Sequence, residues 1–136
     1  IREDINITTD LIVGFPEETD EDFVETLKNI KDIGFSKIHT FPFSLRSGTK
    51  AETLKQVSDT KKRERVLQVL KLSDELESLY YKKFLGKEVE VLVEDSKSGF
   101  TGNYIKVHLD KEMNTNTFVK VMITSVDGLC VNGKVL

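Results

Sequence analysis

The chain has 136 residues, 38% of them apolar and 32% charged, which suits one ordinary globular domain or two small ones. Its net charge of −3 does not by itself announce a polyanionic partner, and its single cysteine, Cys130, excludes an internal disulfide and a thiolate-held cluster. No apolar run approaches the roughly 20 residues of a membrane span and no basic-then-apolar leader opens the chain, so no membrane contact and a cytoplasmic location are the expectations.

Residues 1–5 read as a loop or the end of a preceding helix. Ile5 to Phe15 carries the first strand, and the unbroken apolar run from Leu11 to Phe15 is the pattern of a strand covered on both faces, as in parallel sheets. Gly14 and Pro16 then end it, the first by permitting an unusual torsion or a close backbone approach, the second by barring further ladder pairing. Thr19 is placed as a helix N-cap with Asp22 three residues on, and Asp20, Glu21 and Asp22 put negative charge at the positive end of the helix dipole. The crossover helix spans 20–33. Phe23, Leu27 and Ile30 form its inner stripe, Val24 and Ile33 widen it, and Gly34 stops it. A second strand, Ile38 to Phe43, completes a βαβ unit. The polar loop from Ser44 to Lys50 leaves on the same side as the Gly14 turn, the side where α/β sheets hold ligands.

The longest helical pattern runs from Asp59 to Leu85, with Val66, Val69, Leu70, Leu76, Leu79, Tyr80 and Phe84 near helical spacing and Gly86 as its stop. Lys61, Lys62, Arg63 and Arg65 crowd its first turns, where the macrodipole disfavours cations. A solvated face paired with Glu64 and Asp59 explains them, and a phosphate or RNA contact is the sharper alternative. Beyond Gly86 the period changes to two. Val89, Val91 and Val93, then Phe100 to Leu109, Thr117 to Val126 and Leu129 to Leu136 alternate between turns at 95–99 and Asp127-Gly128, which implies a small barrel that leaves no exposed edges. The expected division is residues 1–85 and 86–136.

Three strings in this order carry a resemblance: Thr9 to Phe23; Ile38 to Ser44 with Arg46 and Gly48-Thr49; and Gly102 to Val107. They resemble the C-terminal part of the radical-SAM methylthiotransferases, most closely the tRNA branch acting on N6-threonylcarbamoyladenosine. The resemblance implies an α+β chain: the C-terminal βαβα part of a radical-SAM partial (β/α) barrel, closed by the long helix, then a small antiparallel β-barrel of the TRAM type. It implies that the chain is a C-terminal fragment lacking the N-terminal domains of the same protein. S-adenosylmethionine and two 4Fe-4S clusters would serve the full-length enzyme, with the cysteine triplets outside this chain. None of these groups is expected to bind the fragment alone, which should be inactive.

The same resemblance implies roles for particular residues. Asp10, Gly14, Glu18 and Phe41 would help hold S-adenosylmethionine; Ser44, Arg46, Gly48 and Thr49 would meet the substrate, Arg46 suiting a phosphate or carboxylate by its planar fork. Phe100, Asn103, Tyr104, Lys106 and His108 would meet tRNA, as rings beside cations on a strand face do. Other readings stand beside these. Glu18 and Asp22 serve equally as helix-start charges, Asp10 as a turn cap, and the Ser44–Thr49 stretch as a surface loop; His39 and His108, each alone, read first as packed or surface residues. Glu17 stands where the family usually has glycine, so the turn itself is in question. Residues 87–136 hold six lysines and seven acids, so RNA binding requires the cations to gather on one face. A ribosomal-protein aspartate or another tRNA adenosine as substrate, and a non-catalytic RNA-binding module, remain alternatives. The residues do not fix the oligomeric state.

Overall fold

The computed structural model describes residues 2–136; the part of the 1–5 expectation that falls on Ile1 lies outside them. The chain forms two compact units, residues 7–76, and Glu77 to Leu136 with the segment up to Asn6.

The first unit is built on two parallel strands, β1 (Thr8–Val13) and β2 (Lys37–Pro42), paired from Thr8 with Lys37 to Val13 with Pro42. Helix α1 (Asp20–Ile33) joins them. Its N-cap is Thr19, in a reciprocal capping box with Asp22, and Gly34 ends it in a left-handed conformation. A 3-10 turn at Lys50–Thr53 leads to α2 (Asp59–Lys82), whose residues up to Leu76 belong to this unit. Val13, Phe23, Ile30, Ile38, Val69 and Leu72 form the core. Val24 and Ile33 do not widen the α1 stripe; they are exposed. β1 is shorter than the predicted strand because Gly14, at φ 72°, turns the chain out directly after Val13.

The buried stripe of α2 also differs from the predicted one. Leu70 and Leu79 are exposed, and the buried positions are Arg65, Val69, Leu72, Ser73, Glu77, Tyr80 and Tyr81. Three of these are polar, which hid the period, and each is paired. Arg65 bonds Glu18, Ser73 both accepts from the Ile38 amide and donates to the Ile38 carbonyl, and Tyr81 donates to Glu77. The Ser73 hydroxyl thereby satisfies backbone groups at the unpaired edge of β2. After Lys82 the chain tightens through three successive turns closed on Tyr80, Tyr81 and Lys82.

The second unit is a closed barrel of β3 (Glu88–Asp95), β4 (Ser98–Thr101), β5 (Lys106–Leu109), β6 (Phe118–Asp127) and β7 (Cys130–Val135), in the order β3-β4-β5-β7-β6. The expected antiparallel barrel requires one correction: β5 and β7 run parallel. The reason is parity, since a ring with an odd number of strands cannot alternate direction at every neighbour. Val91, Val93, Val107, Val121, Ile123 and Val131 point inward, with Tyr80, Tyr81 and Phe84 in the same core. Gly99 and Gly133 fill inward positions where no side chain fits, a Cβ on Gly133 falling 2.2 Å from Val121 Cγ1.

Candidate functional site

Each unit carries a candidate site. In the first, one face of the strand pair carries the buried Val13 and Ile38 and the half-buried Leu11 and Thr40, and within this chain the other face is open. Asp10 pairs with His39 and Ile12 with Phe41 across this face, and all four are exposed, Ile12 by 57% and Phe41 by 52%. An aliphatic side chain beside an aromatic ring, next to a carboxylate and an imidazole, offers an apolar bed and hydrogen-bonding groups for a flat, hydroxylated ligand. Ile12 is absent from the predicted set and His39 has only a bland reading there; strand periodicity places Asp10 and Ile12 on one face, but the all-apolar run Leu11-Ile12-Val13 does not mark Ile12 as its exposed member.

Gly14 and Glu18, two of the residues that the resemblance assigns to the cofactor, are bonded to each other, and Glu18 is bonded to α2. Glu18 Oε1 accepts the Gly14 N–H at 2.9 Å and an Arg65 N–H at 2.5 Å, so this oxygen is engaged within the turn. Space over the Gly14 α-carbon is filled by Lys62, whose Cγ would lie 2.5 Å from an added Cβ. The absence of a side chain at residue 14 thus leaves room for the lysine stem. Arg65, 3% exposed, also reaches the Glu18 carbonyl at 3.3 Å and Asp20 at 2.9 Å, and its guanidinium lies 5.4 Å from the Phe23 ring centroid. Lys61 adds two bonds to Asp20, and these hydrogen bonds, Lys61 first and Arg65 second, hold the Asp20 carboxyl below its ordinary range. The cations that open α2 thus pair largely with acids of the β1–α1 turn. Lys62 meets a predicted partner, Asp59, at 3.7 Å.

Because the strands are parallel, the loop after β2 leaves from the same edge as this turn. Ser44, Arg46, Gly48 and Thr49 are all exposed there. Gly48 N–H donates to Glu52 and the Thr49 hydroxyl to the Arg46 carbonyl, so the loop is ordered by its own bonds. Among the described residues no group of three or more His, Cys, Asp and Glu side chains is placed to hold a metal ion.

On the barrel, Lys106, Phe100, Leu92 and Phe118 are successive cross-strand neighbours on the outer face of β5, β4, β3 and β6. Phe118 is 67% exposed, and Tyr104, at φ 65° in the turn between β4 and β5, is 79% exposed. His108 lies beside Asn132. Phe118, the first residue of β6, adds a ring to those of the predicted set. The charges segregate: β3 presents Glu88, Glu90 and Glu94, whereas β5 and β7 present Lys106, His108, Asn132 and Lys134 with no carboxylate. Asn103, a member of the predicted RNA set, is bonded within the chain. Its amide donates to the Tyr80 hydroxyl at 2.9 Å and the Asp4 carbonyl at 3.2 Å, and its oxygen accepts from the Thr101 hydroxyl at 2.5 Å. The side chain fastens residues 4 and 80 to the barrel turn; burial meanwhile raises the Tyr80 pKa.

A parallel strand–helix–strand unit with an open strand face, followed by a closed five-stranded barrel, defines an α+β protein of two modules. No protein-family model matches it. The threonylcarbamoyladenosine tRNA methylthiotransferase MtaB of Bacillus subtilis is 40% identical over 111 residues, 74% of this chain and 25% of the relative. A probable threonylcarbamoyladenosine tRNA methylthiotransferase of Methanocaldococcus jannaschii is 41% identical over 130 residues, 95% of this chain and 30% of its own length. The tRNA-2-methylthio-N(6)-dimethylallyladenosine synthase of Thermodesulfovibrio yellowstonii is 41% identical over 134 residues, 97% of this chain and 29% of its own. The chain belongs to the tRNA methylthiotransferase family. It spans 25% to 30% of the length of these relatives.

Proposed function

We propose that the full-length protein transfers a methylthio group to N6-threonylcarbamoyladenosine in tRNA by radical S-adenosylmethionine chemistry, with this chain as its C-terminal part. The observation that carries the reading is the open strand face, Asp10 with His39 and Ile12 with Phe41, in a chain whose relatives are named for methylthiolation of tRNA adenosines. A nucleoside cofactor fits it. Ile12 and Phe41 would lie against the adenine, and Asp10 would accept from ribose hydroxyls; when bound, S-adenosylmethionine supplies one-electron chemistry at its sulfonium. Arg46, exposed in the adjacent loop, would take the threonyl carboxylate or a phosphate, and the aromatic and cationic face of the barrel would hold tRNA. The 4Fe-4S clusters do not fit this chain's donor set, which has one cysteine, so their ligands belong to the remainder of the protein and the isolated chain is inactive.

A second reading, another tRNA adenosine as substrate, is favoured by the Thermodesulfovibrio relative, which matches 97% of the chain. Nucleoside mass spectrometry of tRNA from a deletion strain separates the two. Loss of the methylthio form of N6-threonylcarbamoyladenosine, restored by the wild-type gene and not by Phe41→Ala, supports the first; loss of the dimethylallyladenosine form instead supports the second. Unchanged tRNA overturns both.

A further inference from the structure

We infer that Arg65 is a positioning residue of the cofactor site, holding the end of β1 in shape through Glu18; the functional part of this inference rests on the reading given above. Three features of the turn point to it. Arg65 is buried to 3% exposure in a helix stripe whose neighbouring members are Val69 and Leu72, a position where an apolar side chain would avoid the desolvation of a guanidinium. Its bonds all go to the β1–α1 turn: the Glu18 carboxylate and carbonyl and the Asp20 carboxylate. The same Glu18 oxygen takes the Gly14 N–H, directly after Val13 and two residues from Ile12. The chain therefore runs from a helix cation through one carboxylate to the strand end that presents Ile12.

The turn has a conformation that needs such a hold. Gly14 and Glu17 both have positive φ, 72° and 70°, so two left-handed residues stand within four positions. Without Arg65, Glu18 is a largely buried carboxylate, its side chain 14% exposed, with one backbone N–H as its partner. It would turn to water and release Gly14. A neutral amide at residue 18 has no charge to expose and still accepts the Gly14 N–H. Arg65 thus acts on the ligand by way of Glu18 and touches no part of the proposed bed itself.

The test uses the full-length protein in four forms: wild type, Arg65→Met, Arg65→Lys, and Arg65→Met with Glu18→Gln. Equilibrium binding of S-adenosylmethionine and hydrogen exchange at the Gly14 amide are both measured. Arg65→Met is expected to weaken cofactor binding about tenfold and to speed Gly14 exchange, because a displaced strand end misplaces the bed. Arg65→Lys is expected to recover only part of each, since a point charge cannot bridge two acids as the guanidinium fork does. Added Glu18→Gln should bring affinity back to within about threefold of wild type, which a general loss of stability would not allow. Gly14 exchange unchanged in Arg65→Met overturns the positioning role whatever the ligand. Faster exchange in a protein whose wild type does not bind S-adenosylmethionine supports the hold on Gly14 and overturns the cofactor reading instead; faster exchange with undiminished affinity overturns the link between them.

Discussion

Glu17 supplies a direct measure of strain in the turn after β1. It is a non-glycine residue at φ 70°, its N–H donates to the Lys55 carbonyl at 2.9 Å, and its side chain is exposed. The left-handed region costs an L-residue about 1–2 kcal/mol. Glycine has no such cost but loses about 0.5–1 kcal/mol more chain entropy on folding. Glu17→Gly keeps the backbone hydrogen bond, so the expected net effect is a stabilisation of about 0.5–1 kcal/mol. In thermal denaturation this corresponds to a rise of roughly 2–4 °C for a chain of this size. Glu17→Ala is the control: it retains the Cβ and hence the torsional strain, so it should remain within about 0.5 kcal/mol of wild type. Urea denaturation followed by amide exchange across α1 resolves the first unit from the barrel. Equal stability of the alanine and glycine variants would refute the assignment of the strain to the backbone, and a destabilised glycine variant would refute the turn geometry.

Other predictions concern single groups. Tyr80→Phe removes a hydroxyl that donates to the Asp4 carbonyl at 2.8 Å and accepts from Asn103, and should destabilise the barrel unit by about 1–2 kcal/mol in denaturant titration. Lys106→Ala should reduce the slope of log affinity for tRNA against log salt by about 1, whereas Asn103→Ala should lower stability and leave that slope unchanged. Gly99→Ala places a methyl 2.1 Å from the Leu92 carbonyl oxygen and so must push β4 from β3; a loss of about 1–3 kcal/mol is expected. Asp22 is held below its ordinary value of 3.8 by the Thr19 backbone N–H first and the Thr19 side chain next, so its contribution is complete above pH 3.8 and disappears as pH falls through the lower folded value. Asp22→Asn should flatten the acid side of the stability profile of α1.

The local elements were legible wherever one period and one terminator coincide. Asp20–Ile33 begins at a capping box and ends at glycine, and its bounds follow from those residues. In the barrel, alternation marks β3, β6 and β7, but the stretch Phe100 to Leu109 that reads as one strand is two, β4 and β5, separated by a turn at 102–105, and β4 begins at Ser98, inside the predicted turn. Strand order does not follow, because β7 inserts between β5 and β6 through long-range pairing that no local signal reports. The parallel pair does not follow either: the four alternating segments of the sequence could close with every neighbour antiparallel, and only the division of the second into β4 and β5 makes the strand number odd. Sidedness was less legible. A run such as Leu11-Ile12-Val13 satisfies a strand covered on two faces as well as one covered on a single face, and only the exposure of Ile12 beside Phe41 distinguishes them. Net charge concealed the barrel's arrangement in a similar way, since the total for residues 87–136 contains both the acidic outer edge of β3 and the carboxylate-free outer edges of β5 and β7.

The cations at the start of α2 show how a local rule can be used in reverse. The macrodipole disfavours Lys61 and Lys62 there by about 0.3–1 kcal/mol each, and Arg65, one turn further on, is a buried cation, so these side chains require compensation from outside the helix. Within α2, Asp59 meets Lys62 at 3.7 Å. The remainder comes from Glu18 and Asp20, residues that local helix rules assign to the start of α1, where their charge complements that helix instead. One acidic turn therefore answers two helix N-termini, by its charge for α1 and by direct pairing for α2. An unfavourable cation cluster at one helix start and a surplus of acids at another are then evidence for each other, and they locate the contact that fixes the end of β1.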